Sequence, residues 1–312
     1  MDGAPMRRRI DQALLWYVRN TPVHYKRAGI YQRLVEPSLI KNPIRTVATA
    51  QLGLQFHCST DDIIQRHLYA FGVWEPALTA FVRTRLRAGD SFVDVGANVG
   101  YFALLASSIV GPSGRVVAIE PSPSIAEELR KNVALNPSQT IRVITEAASD
   151  SVGFATMYRA DDTNRGTSTL LPSRGFEREC EVRTAPLSQI LQPDELTSAR
   201  IIKIDVEGSE GRVVQGLLSS LPQARQDLEM LIEISPADLE LQGTSAGEVI
   251  GQLADVGFNA YTIENYYEAY RYVAGAYAQS AVRLSTTPSG TGPFDLVFSR
   301  IDAPELPVNW CA

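Results

Sequence analysis

Apolar and polar positions alternate along most of this chain in a way that predicts strands and helices in turn. Short apolar runs are followed by segments whose apolar residues recur at helical spacing. The last two runs lie near each other in sequence and are able to pair antiparallel. The seven runs that predict core strands are 91–95, 115–120, 141–147, 200–205, 227–234, 258–263 and 294–299. The pattern predicts an α/β fold with a mostly parallel sheet whose last strand is antiparallel.

The rest of the chain departs from this alternation and indicates how the chain is divided. Residues 1–50 form a basic N-terminal extension that is helical in places, and residues 51–90 contain helical stretches that we interpret as a lid or cap. Residues 91–300 form the main domain. Within it, residues 151–185 carry glycines and short alternating runs, which predict an inserted β-hairpin or small antiparallel sheet. Residues 301–312 form a tail.

The first core strand ends at a glycine turn that indicates a ligand. Asp94 lies near the strand end, and Gly96 and Gly100 bracket the turn before the next helix. A dinucleotide-binding turn needs a further glycine against the pyrophosphate, but Asn98 occupies that place. A ligand without phosphates does not need this glycine, and an acidic strand end suits a cation. S-adenosylmethionine (SAM) carries a sulfonium, an ammonium and no phosphate, so the pattern favours SAM.

The second core strand ends in an acid that strengthens this interpretation. Glu120 follows the turn by about twenty residues, where an acid accepts hydrogen bonds from ribose hydroxyls. The alternative is an α/β turn without a cofactor, in which Asp94 only stabilises the start of the following helix.

Acids near the ends of two later strands are the candidate catalytic residues. Asp205 and Glu207 lie at the end of the fourth strand and point to the same side while the chain is extended. Their alternative role is to stabilise the next helix. Glu233 lies in an apolar run, where a carboxylate is costly unless it is paired. His67, on a predicted helix, is a further candidate base, and its alternative role is packing.

These acids suit two kinds of chemistry, removal of a proton from a hydroxyl or binding of a divalent metal. Asp205 and Glu233 are able to share an ion with a substrate. The sequence has no Asp-Asn pair of the kind that catechol-type methyltransferases use for their metal. We therefore favour a base and expect no metal ligand.

Charge and cysteine content narrow the class of protein. A net charge of −6 gives no reason to expect a nucleic-acid partner. Basic residues crowd residues 1–50, so this arm either touches an anionic surface or is a solvated start. Three cysteines without metal or redox spacing fit a reduced, cytoplasmic compartment. The apolar stretch 13–18 is too short to span a bilayer, so we expect no transmembrane segment.

Five stretches, in this order, carry a resemblance to a known family: 69–76, 92–102, 114–121, 166–168 and 202–210. Together they resemble the FkbM-type family of class I SAM-dependent methyltransferases, over roughly residues 60–300. The resemblance implies a Rossmann-like sheet and transfer of a methyl group from SAM to a hydroxyl of a sugar or a secondary metabolite.

The resemblance also implies a set of site residues. The glycine turn would hold the methionine part of SAM, Glu120 the ribose, and the end of the third strand the adenine. Thr167 and Ser168 would contact the acceptor, with ordinary turn chemistry as the alternative. The cofactor-binding candidates are Glu75, Asp94, Gly96, Ala97, Asn98, Gly100, Tyr101, Glu120, Pro121, Ala147, Ala148, Ser149 and Asp205.

Two other functions are kept as alternatives. One is an NAD-dependent Rossmann oxidoreductase or epimerase, against which Asn98 and the lack of a convincing Tyr-x-x-x-Lys pair argue. The other is a SAM-binding protein without catalysis, against which the candidate catalytic acids argue.

Overall fold

The chain divides into two compact units in a computed structural model. The first is Met1–Pro76, Asp162–Asn164 and Tyr266–Tyr277, and the second is Ala77–Asp161, Arg165–Asn265 and Ala278–Ala312. The division at Pro76 falls inside the stretch 51–90 that the sequence suggests as a single lid or cap. The structure describes residues 4–20, 24–137, 140–161, 163–172, 175–266, 268, 271–272, 280–288 and 290–308.

The first unit combines helices with a short hairpin. A π-helical stretch, Tyr31–Val35, lies between the second and third helices, and Tyr31 and Val35 pack in a small core with Leu15 and Val18. The hairpin strands pair antiparallel. The elements are α1 (Ala4–Asn20), α2 (His24–Ile30), α3 (Glu36–Lys41), β1 (Arg45–Thr49), β2 (Gln55–Ser59) and α4 (Ile63–Phe71).

The second unit is the α/β domain, and its first helix begins at Pro76, the last residue of the first segment of the first unit. Its helices are α5 (Pro76–Arg85), α6 (Tyr101–Val110), α7 (Pro123–Leu135), α8 (Leu187–Ile190), α9 (Pro193–Thr197), α10 (Glu210–Leu217), α11 (Pro236–Leu241) and α12 (Ala246–Asp255). Its strands are β3 (Ser91–Val95), β4 (Arg115–Ile119), β5 (Ile141–Ile144), β6 (Ala147–Ala148), β7 (Gly153–Arg159), β8 (Glu177–Ala185), β9 (Ala199–Ile204), β10 (Glu229–Ile234), β11 (Asn259–Thr262), β12 (Ser280–Arg283), β13 (Phe294–Ser299) and β14 (Glu305–Pro307).

The main sheet has the order β14-β12-β11-β13-β10-β9-β3-β4-β5. The seven predicted strands are all present, and β13 runs antiparallel to both β10 and β11, as predicted for the last strand. The prediction of seven strands is nevertheless too low for the described sheet. The additional strands β12 and β14 contain only four and three residues and pair with each other at the sheet edge. Neither strand lies in one of the apolar runs that the sequence analysis selected.

The third core strand is shorter than predicted. It ends at Ile144, and Ala147–Ala148 forms β6, which pairs with β8 in a separate three-stranded sheet of order β6-β8-β7. Strands β7 and β8 pair antiparallel across the segment 151–185. A single apolar run in the sequence thus serves two sheets, because the chain leaves the main sheet after Ile144.

The described residues contain no helix that combines the length and the apolar character needed to cross a bilayer.

The core of the second unit lies on the faces of the sheet, where apolar side chains from β3, β9 and β10 pack against helix α10.

A buried acid ties three elements together at the amino-terminal edge of the sheet. Glu229, the first residue of β10, is 1% exposed. One of its oxygens lies 3.2 Å from Nε of Arg85 and 3.0 Å from a guanidinium nitrogen of Arg200. Arg85 ends α5 and Arg200 lies in β9. Removing the Glu229 carboxylate from water costs free energy, and the pairing with the two arginines offsets this cost.

Replacing Glu229 by alanine should therefore strongly destabilise the second unit. Removing one partner of a buried ion pair leaves the others uncompensated and costs about 3–5 kcal/mol. The measurement is the free energy of unfolding by urea. The control is Asp194→Ala, which breaks the exposed pair with Arg115 and should have little effect. Equal stability of the two variants would contradict the role given to Glu229.

Candidate functional site

The glycine turn after β3 lies directly against the end of β9. The Asp205 N–H donates to the Val95 carbonyl at 2.9 Å. Gly96 has a φ of +83°, and a Cβ placed on it would lie 1.7 Å from the Asp205 carbonyl oxygen. Only glycine fits this contact, which places the glycine turn beside the turn that carries Asp205 and Glu207.

The backbone amides of the glycine turn are all used inside the protein. Gly96 and Ala97 donate to the Ile119 carbonyl at 2.9 and 3.0 Å, and Gly100 donates to the Ala97 carbonyl at 2.9 Å. Asn98 donates to a Glu120 oxygen at 2.9 Å, and Val99 to the Asn98 side-chain oxygen at 2.7 Å. A phosphate-binding turn directs such amides at its ligand. This turn offers none of these five amides, so it fits a ligand without phosphates.

Glu120 lies under the turn with both carboxylate oxygens engaged by backbone. One accepts from Asn98 N–H and the other from Ser122 N–H, each at 2.9 Å. Burial raises the pKa of Glu120 to about 7, against these hydrogen bonds, which favour the charged form. Each oxygen keeps a further lone pair for a hydroxyl donor. Pro121 follows Glu120 directly and leads to the start of α7.

Asp94 is buried near the end of β3. Burial raises its pKa to about 6, and the nearby backbone amide of Ala103 in α6 opposes this rise. Its Oδ2 has no hydrogen-bond partner among the residues that the structure describes. This position beside α6 is compatible with the alternative in which Asp94 stabilises the start of the helix.

The three candidate catalytic acids of the second unit lie close together at the carboxyl ends of neighbouring strands. Asp205, Glu207 and Glu233 each place one carboxylate oxygen within 4.8 Å of the others, and we call this group the acid edge. Strands β9 and β10 are parallel neighbours, so their ends meet at the same side of the sheet. All three side chains are partly buried.

The backbone of the acid edge is held from several sides. Glu207 has a φ of +52°, a conformation that costs free energy for a residue with a side chain. The Thr169 hydroxyl donates to the Glu207 carbonyl at 2.7 Å, and Gly208 N–H donates to Glu210 at 2.8 Å. Gln242 donates to the Gly208 carbonyl. Burial raises the pKa of Glu210 to about 8. These contacts fix the strained turn.

Two charged residues of this edge were missed by the sequence analysis. Lys203 Nζ lies 2.6 Å from Asp205 Oδ2. Asp295, in β13, is the register partner of Glu233 and accepts from the Asn265 side chain at 3.0 Å. Burial raises the pKa of Asp295 to about 6. A charged residue inside an apolar run is the signal that could have identified both.

Comparison with known proteins identifies the family. A family model described as the methyltransferase FkbM domain matches residues 94–260. The chain belongs to the FkbM methyltransferase family. It is therefore a member of the SAM-dependent methyltransferases, and this membership decides against the NAD-dependent alternatives.

Individual relatives agree with the family. The chain is 31% identical over 205 residues to the 31-O-demethyl-FK506 methyltransferase FkbM of Streptomyces tacrolimicus, covering 55% of this chain and 74% of the relative. It is 26% identical over 134 residues to the hexuronic acid methyltransferase AglP of Haloferax volcanii, covering 42% of this chain and 52% of the relative. The match thus spans only about half the length of AglP.

A solved structure with a distant likeness is a SAM-dependent O-methyltransferase from Thermotoga maritima. It is 12% identical, and the match covers 84% of this chain and 78% of that chain with a TM-score of 0.39. A TM-score this low is no basis for an inference.

The remaining cofactor candidates of this FkbM-family chain lie in two places. Ala97 and Tyr101 are buried in the glycine turn and at the start of α6, where Thr79 donates to the Tyr101 hydroxyl at 3.1 Å. Ala147 and Ala148 are packed in hydrophobic clusters. The Ser149 hydroxyl donates to Asp150 at 3.1 Å. Contact of Ala147, Ala148 and Ser149 with adenine stays a prediction.

The acceptor candidates lie in a turn of the segment 151–185. Thr167 ends a single 3₁₀ turn, Arg165–Thr167. The Ser168 hydroxyl donates to the Arg165 carbonyl at 2.8 Å and accepts from Ala160 N–H at 3.1 Å. Turn chemistry, the alternative named from the sequence, thus occupies the Ser168 hydroxyl. Contact with an acceptor stays a prediction.

His67 and Glu75 belong to the first unit. His67 is 1% exposed, with Nδ1 2.8 Å from the Ile63 carbonyl and its ring packed against Trp74 and Tyr272. Glu75 has a φ of +43°, and its N–H donates to the Tyr272 hydroxyl at 3.2 Å. The packing role of His67 is present. The catalytic role of His67 and the cofactor role of Glu75 stay predictions.

Replacing Gly96 by alanine should displace the Asp205 turn and abolish SAM binding, because the added Cβ overlaps a backbone carbonyl. The measurements are SAM affinity by calorimetry and the melting temperature. Gly89→Ala is the matched control, since Gly89 has a similar φ of +86° but its nearest neighbour, Ser113 Oγ, lies 3.6 Å away.

The control should lose only the cost of a left-handed alanine, about 1–2 kcal/mol of stability, and keep its SAM affinity. Wild-type affinity in Gly96→Ala would show that the contact with Asp205 is not needed for the site.

Proposed function

We propose that this chain transfers a methyl group from SAM to a hydroxyl group of a sugar or a secondary metabolite. The observation that carries the proposal is the glycine turn. Its five amides are used internally, while acids surround it. Such a site disfavours a phosphate and suits the sulfonium and ammonium of SAM, with the acid edge beside it for the acceptor.

The residues of the second unit fit SAM as a cofactor. Glu120 has lone pairs left for the ribose hydroxyls, and Asp94 has one oxygen without a hydrogen-bond partner in the described part of the chain. The turn from Gly96 to Gly100 would hold the methionine part. SAM supplies a methyl group that is already activated as a sulfonium substituent, so the protein mainly has to align the acceptor oxygen.

An aliphatic hydroxyl is a weak nucleophile unless a base accepts its proton, and the acid edge offers carboxylates for this role. The three carboxylates each place one oxygen within 4.8 Å of the others. An acceptor hydroxyl at this edge would therefore have a carboxylate oxygen within reach to accept its proton. We assign this function to Asp205, Glu207 and Glu233 together.

A divalent metal is the second candidate for the same acids. Carboxylate oxygens are the ligands that magnesium and manganese prefer. Against this, the Lys203 ammonium already occupies one oxygen of Asp205, at 2.6 Å. We therefore keep the proton acceptor as the proposal and let a chelator decide.

The acceptor class rests on the names of relatives. One is described as a 31-O-demethyl-FK506 methyltransferase and another as a hexuronic acid methyltransferase. The first name implies an oxygen acceptor, and the second names a sugar acid as the substrate. We carry over the oxygen acceptor from the first name and the sugar class from the second.

The proposed function is tested with methyl-labelled SAM and a panel of sugars, uronic acids and 31-O-demethyl-FK506. The expected result is a product that gains one labelled methyl group on oxygen, identified by mass spectrometry and nuclear magnetic resonance. A protein that binds SAM but labels neither the panel nor a metabolite extract would instead be a SAM-binding protein without catalysis.

Replacing Glu120 by alanine should weaken SAM binding by about 1.5–3 kcal/mol, the range for hydrogen bonds to a charged group. Calorimetry measures the loss. Because the change also frees the Asn98 and Ser122 amides, the control is a ligand pair, S-adenosylhomocysteine and its 2′-deoxy analogue. The wild type should distinguish the two ligands and the variant should not. Equal discrimination by both proteins would remove Glu120 from the ribose site.

Replacing Asp205 by asparagine should slow methyl transfer by about 10²- to 10⁴-fold while SAM still binds. Single-turnover rates measure the chemical step. Asp227→Asn, just before β10 at the opposite end of the sheet, is the matched control and should keep its rate. Chelation of the wild type should have no effect. Loss of activity with a chelator, restored by magnesium or manganese, would instead establish the metal.

A further inference from the structure

Lys203 is a buried cation in the interior of β9, two residues before Asp205. Its side chain is 6% exposed. Its Nζ lies 2.6 Å from Asp205 Oδ2 and 5.0 Å from the centre of the Phe102 ring. An ammonium group taken out of water is costly unless it is paired. The ion pair with Asp205 and the contact with the Phe102 ring reduce this cost.

Acids from several elements face this ammonium. Asp94 is its register partner on β3. Burial raises the pKa of both Asp94 and Asp295 to about 6, and in each case the positive charge of Lys203 opposes the rise while Asp205 adds to it. The other charged groups around Asp205 are Glu207 on the same turn, Glu210 on α10 and Glu233 on β10.

We propose that Lys203 is a positioning residue of this site, which fixes one oxygen of Asp205 and offsets the negative charge of Asp94 and Asp295. The proposal rests on the proposed function for its meaning in catalysis. With Oδ2 held by the ammonium, Oδ1 is the Asp205 oxygen left to meet a ligand. Lys203 thus acts through Asp205 and through the charge of its neighbours.

Loss of the ammonium has a consequence that a packing defect does not have. Without the positive charge, the neighbouring acids bind protons at higher pH. A cationic ligand then meets fewer negative charges near neutral pH. At high pH, where the acids are ionised, the same ligand no longer meets a repelling ammonium. The pH dependence of SAM binding therefore changes in a defined direction.

The test compares the SAM affinity of the wild type and Lys203→Met by calorimetry from pH 5.5 to pH 9. In the variant, the pH at which affinity has fallen to half should move upward by about one unit. At pH 9 its affinity should equal or exceed that of the wild type. Melting curves at each pH verify that the protein is folded. Lys203→Gln, which keeps a hydrogen-bond donor for Asp205 but lacks the charge, provides a second variant with the same expected shift.

The matched control is Arg200→Met, on the same strand. Arg200 is also a mostly buried cation, paired with Glu229 at 3.0 Å, but at the amino-terminal edge. Its loss should lower the melting temperature and leave the pH midpoint of SAM binding unchanged. An equal, pH-independent loss of affinity in the Lys203 and Arg200 variants would overturn the proposal and reduce Lys203 to a structural residue.

A double variant tests the route through Asp205. If Lys203 acts by positioning this carboxylate, Lys203→Met combined with Asp205→Asn should transfer methyl no more slowly than Asp205→Asn alone. Multiplication of the two separate losses would contradict that route. If no acceptor is methylated by the wild type, the proposed function fails, while the pH profile of SAM binding still decides the role of Lys203.

Discussion

The candidate site depends on one close contact, the approach of the Gly96 backbone to the carbonyl oxygen of Asp205. No side chain fits between them. The register of β3 and β9, which pairs Val95 with Ile204, brings the two strand ends to the same level. The glycine turn and Glu120, which we assign to the cofactor, lie at the ends of β3 and β4, and the acids that we assign to the acceptor lie at the ends of β9 and β10. Their mutual distance is thus set by the sheet rather than by mobile loops.

Buried negative charge is the second constraint on this part of the fold. Backbone amides lower its cost at Glu120 and Glu210, and Lys203 lowers it at Asp205. The raised pKa values of Asp94, Glu120 and Glu210 indicate that this compensation is incomplete. A sulfonium and an ammonium would add the missing positive charge.

The sequence predicted the parts of this arrangement that depend on local pattern. The seven core strands, the glycine turn and the acid after β4 are all recognisable from apolar periodicity and turn residues. Asp295 was missed because its proximity to Glu233 arises from sheet order, which places β13 beside β10. Lys203 was missed although its charge inside the apolar run of β9 is visible in the sequence. The end of the third strand was predicted too late because Ala147–Ala148 is apolar and continues the same apolar run. Periodicity does not show that these two residues pair with β8 in a different sheet.

The segment 151–185 is connected to both halves of the site, and this limits how freely it can vary. Its Thr169 hydroxyl holds the Glu207 carbonyl at 2.7 Å. Its Glu179 accepts from the Ser122 hydroxyl at 2.8 Å, and the Ser122 N–H in turn donates to Glu120. Inserted segments of α/β domains usually determine specificity because they tolerate change. A change in this segment would therefore also disturb the contacts that hold Glu207 and Glu120. Under the proposed function, in which the segment contacts the acceptor, acceptor choice and the geometry of transfer would be coupled.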